Sequence, residues 1–178
     1  MRLFIGIDLS QSMKSYLWGV AKSIERHTQG RVTALNNYHL TLAFLGELDD
    51  NQTNELKSLM NQIHFNAFEM TVSEVDYFQK GERFIYYMGI KPNPALKTLY
   101  QKVVDVISPL GLNIHGKFSP HITLIRQGKS FPIHVLTLPI TTEIIQVQKV
   151  TLFLSHSVDD ELTYTPIYDI LLQTNDRT

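Results

Sequence analysis

Asn37-Tyr38-His39-Leu40-Thr41-Leu42-Ala43-Phe44-Leu45-Gly46 and Phe118-Ser119-Pro120-His121-Ile122-Thr123-Leu124-Ile125-Arg126 carry one four-residue pattern, His-x-Thr-apolar, with the two histidines 82 positions apart. Successive side chains of a strand point to opposite faces, so each copy sets its His beside its Thr and sends an apolar pair into a core. Tyr38, Leu40, Leu42 and Phe44 alternate with His39, Thr41, Ala43 and Leu45, which predicts a half-buried strand with Phe44 in the core. Two accidental copies are expected in only ~2–3% of chains of this composition, so the surroundings must sharpen the signal.

Outward from the first copy, Ser10 is a candidate N-cap, and Met13, Leu17, Val20, Ala21 and Ile24 recur at helical spacing before Gly30. The run Leu3-Phe4-Ile5-Gly6-Ile7 ahead of it predicts a buried first strand. Asp49-Asp50-Asn51 caps a second amphipathic stretch through Leu56, Leu59, Met60 and Ile63. Strands are predicted over 68–78 and 83–90 around the turn Lys80-Gly81-Glu82, and a third helix over Ala95, Leu99, Val103, Val106 and Ile107 after Pro92-Asn93-Pro94. Further strands are predicted over 144–154 and 164–172, joined by a turn over 157–161. A helix followed by a His-x-Thr strand occurs twice. This echo predicts an α+β fold, a duplicated α/β unit whose two lobes bring the motif strands to a shared cleft.

The 178 residues are 43% hydrophobic with a formal charge of -1, which suits one globular unit and lacks the basic footprint of a long nucleic-acid binder. Cysteine is absent, which removes disulfides, thiolate metal sites and a Cys nucleophile, and fits a reducing cytoplasm. The apolar opening is far shorter than the ~20 residues of a membrane span, so no membrane partner is expected. No His-x-His or His-Glu-x-x-His cluster suggests a metal.

With the two motifs in place, the chain resembles the 2H phosphoesterases, and within them the RNA 2',3'-cyclic phosphodiesterases of the 2'-5' RNA ligase-like (LigT-like) type. The resemblance rests on Arg2-Leu3-Phe4-Ile5-Gly6-Ile7-Asp8, the two stretches quoted above, and Val150-Thr151-Leu152-Phe153-Leu154-Ser155 followed by Tyr164. It covers nearly the whole length in the family's order. It implies antiparallel sheets around a central cleft, and one domain over 1–178 with pseudo-symmetric lobes of about 1–91 and 92–178, the exact boundary and any strand exchange being left open. The aromatic that relatives often carry a few residues before the first motif is missing, since Val32-Thr33-Ala34 stands there.

Opening a cyclic phosphodiester takes a base to activate water and an acid to protonate the departing ribose oxygen, roles that two imidazoles can fill near neutral pH. Thr41 and Thr123 can donate to non-bridging phosphate oxygens. The resemblance implies His39 as proton donor to the 3'-oxygen and His121 as proton acceptor, leaving a 2'-phosphate; the residues alone leave open which is which. Arg126 is a further phosphate ligand, although strict alternation from His121 puts it on the opposite face unless the strand bends. Expected, then, is a cytoplasmic monomer that needs no metal or cofactor and acts on RNA or nucleotides with 2',3'-cyclic phosphate ends, with reversible 2'-5' ligation as a side activity. The alternatives are a phosphodiesterase for ADP-ribose cyclic phosphate or 2'-5' oligoadenylate, and a non-catalytic RNA-end binding module.

Among the other histidines, His27 and His64 fall near helix ends, while His115, His134 and His156 fall in loops or at segment edges, with His115 and His156 as lesser candidates for substrate contact. Phe4, Phe44, Tyr86, Tyr87 and Phe118 are expected in the core. Lys117, Arg126 and Lys129 form a basic cluster that could draw in phosphates.

Overall fold

Each predicted helix begins where a side chain can satisfy its free amides. In the computed structural model, which describes residues 1–114, 117–129 and 140–174, Ser10 caps α1 (Gln11–Thr28) by accepting from Met13 N at 3.2 Å. Asp49 and Gln52 form a capping box at α2 (Asp50–Met60), and Asn93 accepts from Leu96 N at the start of α3 (Pro94–Ile107), where Pro94 has no amide to satisfy. The apolar faces of all three helices are buried in one core.

Nine strands are described: β1 (Arg2–Asp8), β2 (Arg31–Val32), β3 (His39–Glu47), β4 (Phe68–Lys80), β5 (Arg83–Ile90), β6 (His121–Gly128), β7 (Ile144–Val147), β8 (Lys149–Val158) and β9 (Glu161–Leu171). They form two antiparallel sheets, ordered β3-β1-β8-β9 and β2-β6-β5-β4-β7. The echo is visible in the connections. In β1-α1-β3 and β5-α3-β6, a helix joins two paired strands, the second of which carries the motif. Strands from both sides of residue 91 share each sheet, because β4 and β5 pair with β7 and β6 while β1 pairs with β8.

The predicted strand 144–154 is two strands in different sheets: β7 pairs with β4, and after Gln148 the chain enters β8 beside β1. The turn predicted over 157–161 tightens to Asp159 and Asp160, both left-handed at φ 49° and 61°. Such a two-residue hairpin matches the twist of the flanking strands, and Asp tolerates this conformation.

Each motif strand carries two register shifts against its partner, and one of them falls at the same place in both copies. Ile5 and Gly6 pair with Ala43 and Thr41, skipping Leu42; Tyr86 and Tyr87 pair with Ile125 and Thr123, skipping Leu124. Each skip is a β-bulge, which reverses the inward and outward parity beyond it. Leu42 and Ala43 are therefore both buried, as are Leu124 and Ile125. Phe44, expected in the core, is instead turned out and 51% exposed, with the Arg2 guanidinium 5.1 Å over its ring. Arg126 occupies the same position in the second copy and is turned to the face of His121 and Thr123. Gly6 permits the close approach of β1 to the first motif, since a β-carbon there would lie 2.7 Å from the Leu40 carbonyl oxygen.

Candidate active site

The motif backbone orients its own imidazoles. A short 3-10 turn over Leu35–Asn37 leads into β3 and aims the Asn37 carbonyl back at His39, whose Nδ1 donates to it at 2.6 Å. In the second copy, His121 Nδ1 donates to the Ser119 carbonyl at 2.7 Å, again two residues back. A carbonyl only accepts, so each Nδ1 carries the proton and each neutral ring keeps its lone pair on Nε2. Thr41 Oγ1 lies 3.0 Å from His39 Nε2 and donates to it.

Both rings are packed by aromatics. His39 lies 4.7 Å from Phe4 and edge-on to Tyr164 at 5.0 Å, while His121 meets Phe78 edge-on at 5.0 Å and Tyr87 at 5.2 Å. Phe4 and Tyr86 are buried as expected, whereas Tyr87 and Phe118 are only half-buried. Removal from water penalises the charged imidazole. Burial is thus the main reason that His39 is lowered to about 4, opposed by the Asn37 carbonyl and reinforced by the positive charges of Arg126, His121 and Lys14. His121 is also lowered, chiefly by burial, with the Ser119 carbonyl opposing and Arg126 adding to the shift.

A cavity of about 420 Å³ opens between the sheets, a size suited to a small ligand. His39, Thr123 and Arg126 line it, together with Arg31 to Ala34, Asn37 and Gln127 on one side and Asp160, Glu161, Leu162 and Tyr164 on the other. Thr41 and His121 are not in its wall, but Thr41 touches the His39 ring and His121 is close enough to repel a charge on it. Three of the five predicted site residues thus line one cavity and the other two stand on the same strands, β3 and β6, with Arg126 acting electrostatically on both imidazoles. Among the described residues no three His, Asp or Glu side chains cluster as a metal site would need.

Other expectations divide. His156 lies within β8, where its Nε2 shares a hydrogen bond with Thr165 Oγ1 at 2.7 Å, and it does not line the cavity. His27 is in the last turn of α1 and His64 follows α2; His115 and His134 lie outside the described residues. Lys117 and Lys129 are exposed and apart from the cavity wall, so only Arg126 of the basic cluster reaches it.

Two supporting groups escaped the sequence reading. Lys14, although buried, pairs with Asp8 at 2.8 Å and donates to the Asn36 carbonyl at 3.3 Å, tying α1 and β1 to the turn that carries Asn37. The Asn37 side chain clasps β9: Nδ2 donates to Leu162 O at 2.7 Å, and Oδ1 accepts from Tyr164 N at 3.0 Å. Asn37→Ala leaves both backbone groups without a partner at about 1–3 kcal/mol each and frees the carbonyl that holds His39. Expected are a stability loss of about 2–4 kcal/mol in urea and a fall in kcat larger than any rise in KM. Parent-like values for both would remove the clasp from the site's support.

A family model described as LigT like phosphoesterase matches residues 7–86. An RNA 2',3'-cyclic phosphodiesterase of Thermotoga maritima is 31% identical over 128 residues, covering 70% of this chain and 68% of that protein. Another, of Escherichia coli, is 26% identical over 170 residues, 93% of each. The crystal structure of E. coli LigT complexed with 3'-AMP superposes with a TM-score of 0.82 at 25% identity, covering 96% of this chain and 97% of that one.

Proposed function

The chain belongs to the LigT-like phosphoesterases of the 2H superfamily, and from that premise we propose that it hydrolyses 2',3'-cyclic phosphodiester ends of RNA or nucleotides to 2'-phosphates. One observation carries the proposal: two imidazoles are held alike by the carbonyl two residues back, so both present Nε2, and both feel the same arginine. A pure phosphate binder has no use for two such Nε2 atoms.

In the proposed reaction His121 Nε2 takes a proton from water as its oxygen bonds to phosphorus. The bond from phosphorus to O3' breaks, and protonated His39 gives its Nε2 proton to O3'. Each histidine finishes in the other's starting state, and solvent exchange resets the pair. Thr41, Thr123 and Arg126 donate to the non-bridging oxygens as negative charge builds. If a 5'-hydroxyl stands in for the water, the same steps join two RNA ends through a 2'-5' linkage, and in reverse they cleave it.

Two imidazoles supply both proton transfers, so the scheme needs no metal. A cleft completed by one chain supports a monomer, and the absence of cysteine supports the cytoplasm. The test offers a 2',3'-cyclic mononucleotide, cyclic-ended RNA, cyclic-phosphate ADP-ribose and 2'-5' oligoadenylate, with and without EDTA. Turnover of the cyclic ends to 2'-phosphates, unchanged by EDTA, is expected. Turnover confined to the ADP-ribose compound or the oligoadenylate overturns the substrate class, and tight binding without turnover revives the binding module.

A further inference from the structure

Arg31 and Arg126 are direct partners in the antiparallel β2-β6 pair, and both line the cavity. Paired residues project to the same face with β-carbons ~5 Å apart, and like charges so placed repel. The arrangement is nonetheless held firmly. Thr33 N donates to Leu124 O at 2.9 Å, Thr33 Oγ1 to Thr123 O at 3.0 Å, and Lys129 N to Thr28 O at 2.8 Å. Gly30 adds a close approach, since a β-carbon there would lie 2.7 Å from the Arg126 carbonyl oxygen. Among the described residues neither guanidinium makes an ion pair: the cavity's carboxylates, Asp160 and Glu161, are on the β8-β9 hairpin, and neither reaches an arginine.

Two unneutralised guanidinium groups fixed side by side fit two anionic groups better than one. Arg126, sharing a face with Thr123 and His121, serves the reacting phosphate. We propose that Arg31 forms a second phosphate subsite, binding the phosphate ester on the 5'-oxygen of the ribose whose 2',3'-cyclic phosphate is opened. This rests on the cyclic phosphodiesterase reading and deepens it. The subsite explains how a cleft without an aromatic at 32–34 can grip a nucleotide: it holds the backbone on either side of the ribose. A 5'-phosphodiester, as in RNA, and a 5'-phosphomonoester share the chemistry it reads.

The test compares kcat/KM for three substrates: a 2',3'-cyclic nucleoside with a free 5'-hydroxyl, the same compound with a 5'-phosphomonoester, and a cyclic-ended dinucleotide. The parent chain is expected to favour the phosphorylated compounds by roughly 10- to 100-fold, the worth of a charge-assisted hydrogen bond. Arg31→Gln brings both ratios towards one, and Arg31→Lys restores part of them. Because Arg31→Gln relieves a like-charge pair, its melting temperature is expected not to fall, which separates lost binding from lost fold. A preference for the dinucleotide alone assigns the subsite to the RNA diester, and equal preference for both assigns it to the 5'-phosphate charge. A parent ratio near one, or a ratio unchanged in Arg31→Gln, overturns the subsite while leaving the phosphodiesterase reading standing. No turnover of any of the three overturns that reading and the subsite with it.

Discussion

His121→Asn and His39→Asn are each expected to lower turnover of a 2',3'-cyclic nucleotide by ~10² to 10⁴, with cooperative unfolding retained. Each substitution removes a proton-transfer atom, Nε2, from a ring whose other nitrogen is bonded to its own backbone. The two effects should not add, since an acid without its base partner has little left to assist. The roles separate on a substrate with a nitrophenolate leaving group, which needs no protonation. If His39 is the acid, its variant regains most of the rate there and the His121 variant does not; the opposite pattern exchanges the roles, and full activity of either variant on the cyclic nucleotide ends the assignment. The pH profile follows from the same groups. The base must be neutral, so activity falls as pH drops below its pKa; the acid must be protonated, so activity falls as pH rises above its own. With His39 lowered to about 4 and His121 also lowered, the free enzyme's kcat/KM is expected to peak on the acid side of the ordinary histidine value. A bound phosphate anion favours the charged rings and moves the kcat profile towards neutral pH.

The helices and motif strands could be read from the sequence because periodicity and capping are local. Ser10, Asp49 and Asn93 sit just before helices whose apolar positions recur every three or four residues, and the cap bonds span only three residues. The echo of the halves was legible too, in the spacing of the two histidines. The bulges were not, because one inserted residue leaves no mark in a count of strand propensity. Their trace is a pair of adjoining apolar residues at matching places, Leu42-Ala43 and Leu124-Ile125, where alternation predicts one in and one out. Lys14 and Asn37 were missed for a different reason. Their partners are distant in sequence: Lys14 reaches Asn36, 22 residues on, and Asn37 grips β9 more than 120 residues away. Neither contact has a local signature. The break at Gln148 is of the same kind, because an apolar run cannot say which sheet each half will join.

Arg126→Met is expected to lower kcat by ~10² to 10³ and, in the same protein, to raise the pKa of both histidines. The bulge at Leu124 carries the first effect. Without it Arg126 would point away from His121 and Thr123, and with it the guanidinium stands in the cavity wall, where charge builds on the phosphate. The second effect has a definite sign. The fixed positive charge of Arg126 disfavours a proton on either ring, so removing it makes protonation easier at both. His39 should recover only part of its shift, because burial remains its main cause. Imidazole titration by NMR reads both rings at once, and a side chain that merely fills space would move neither. Arg126→Lys divides the contributions. It keeps the charge, so both pKa values should stay near the parent's, while loss of the planar fork still slows turnover. If Arg126→Met leaves both rings unmoved and the rate intact, Arg126 is not the cation that the two half-sites share, and the bulge's effect on parity has no part in the chemistry.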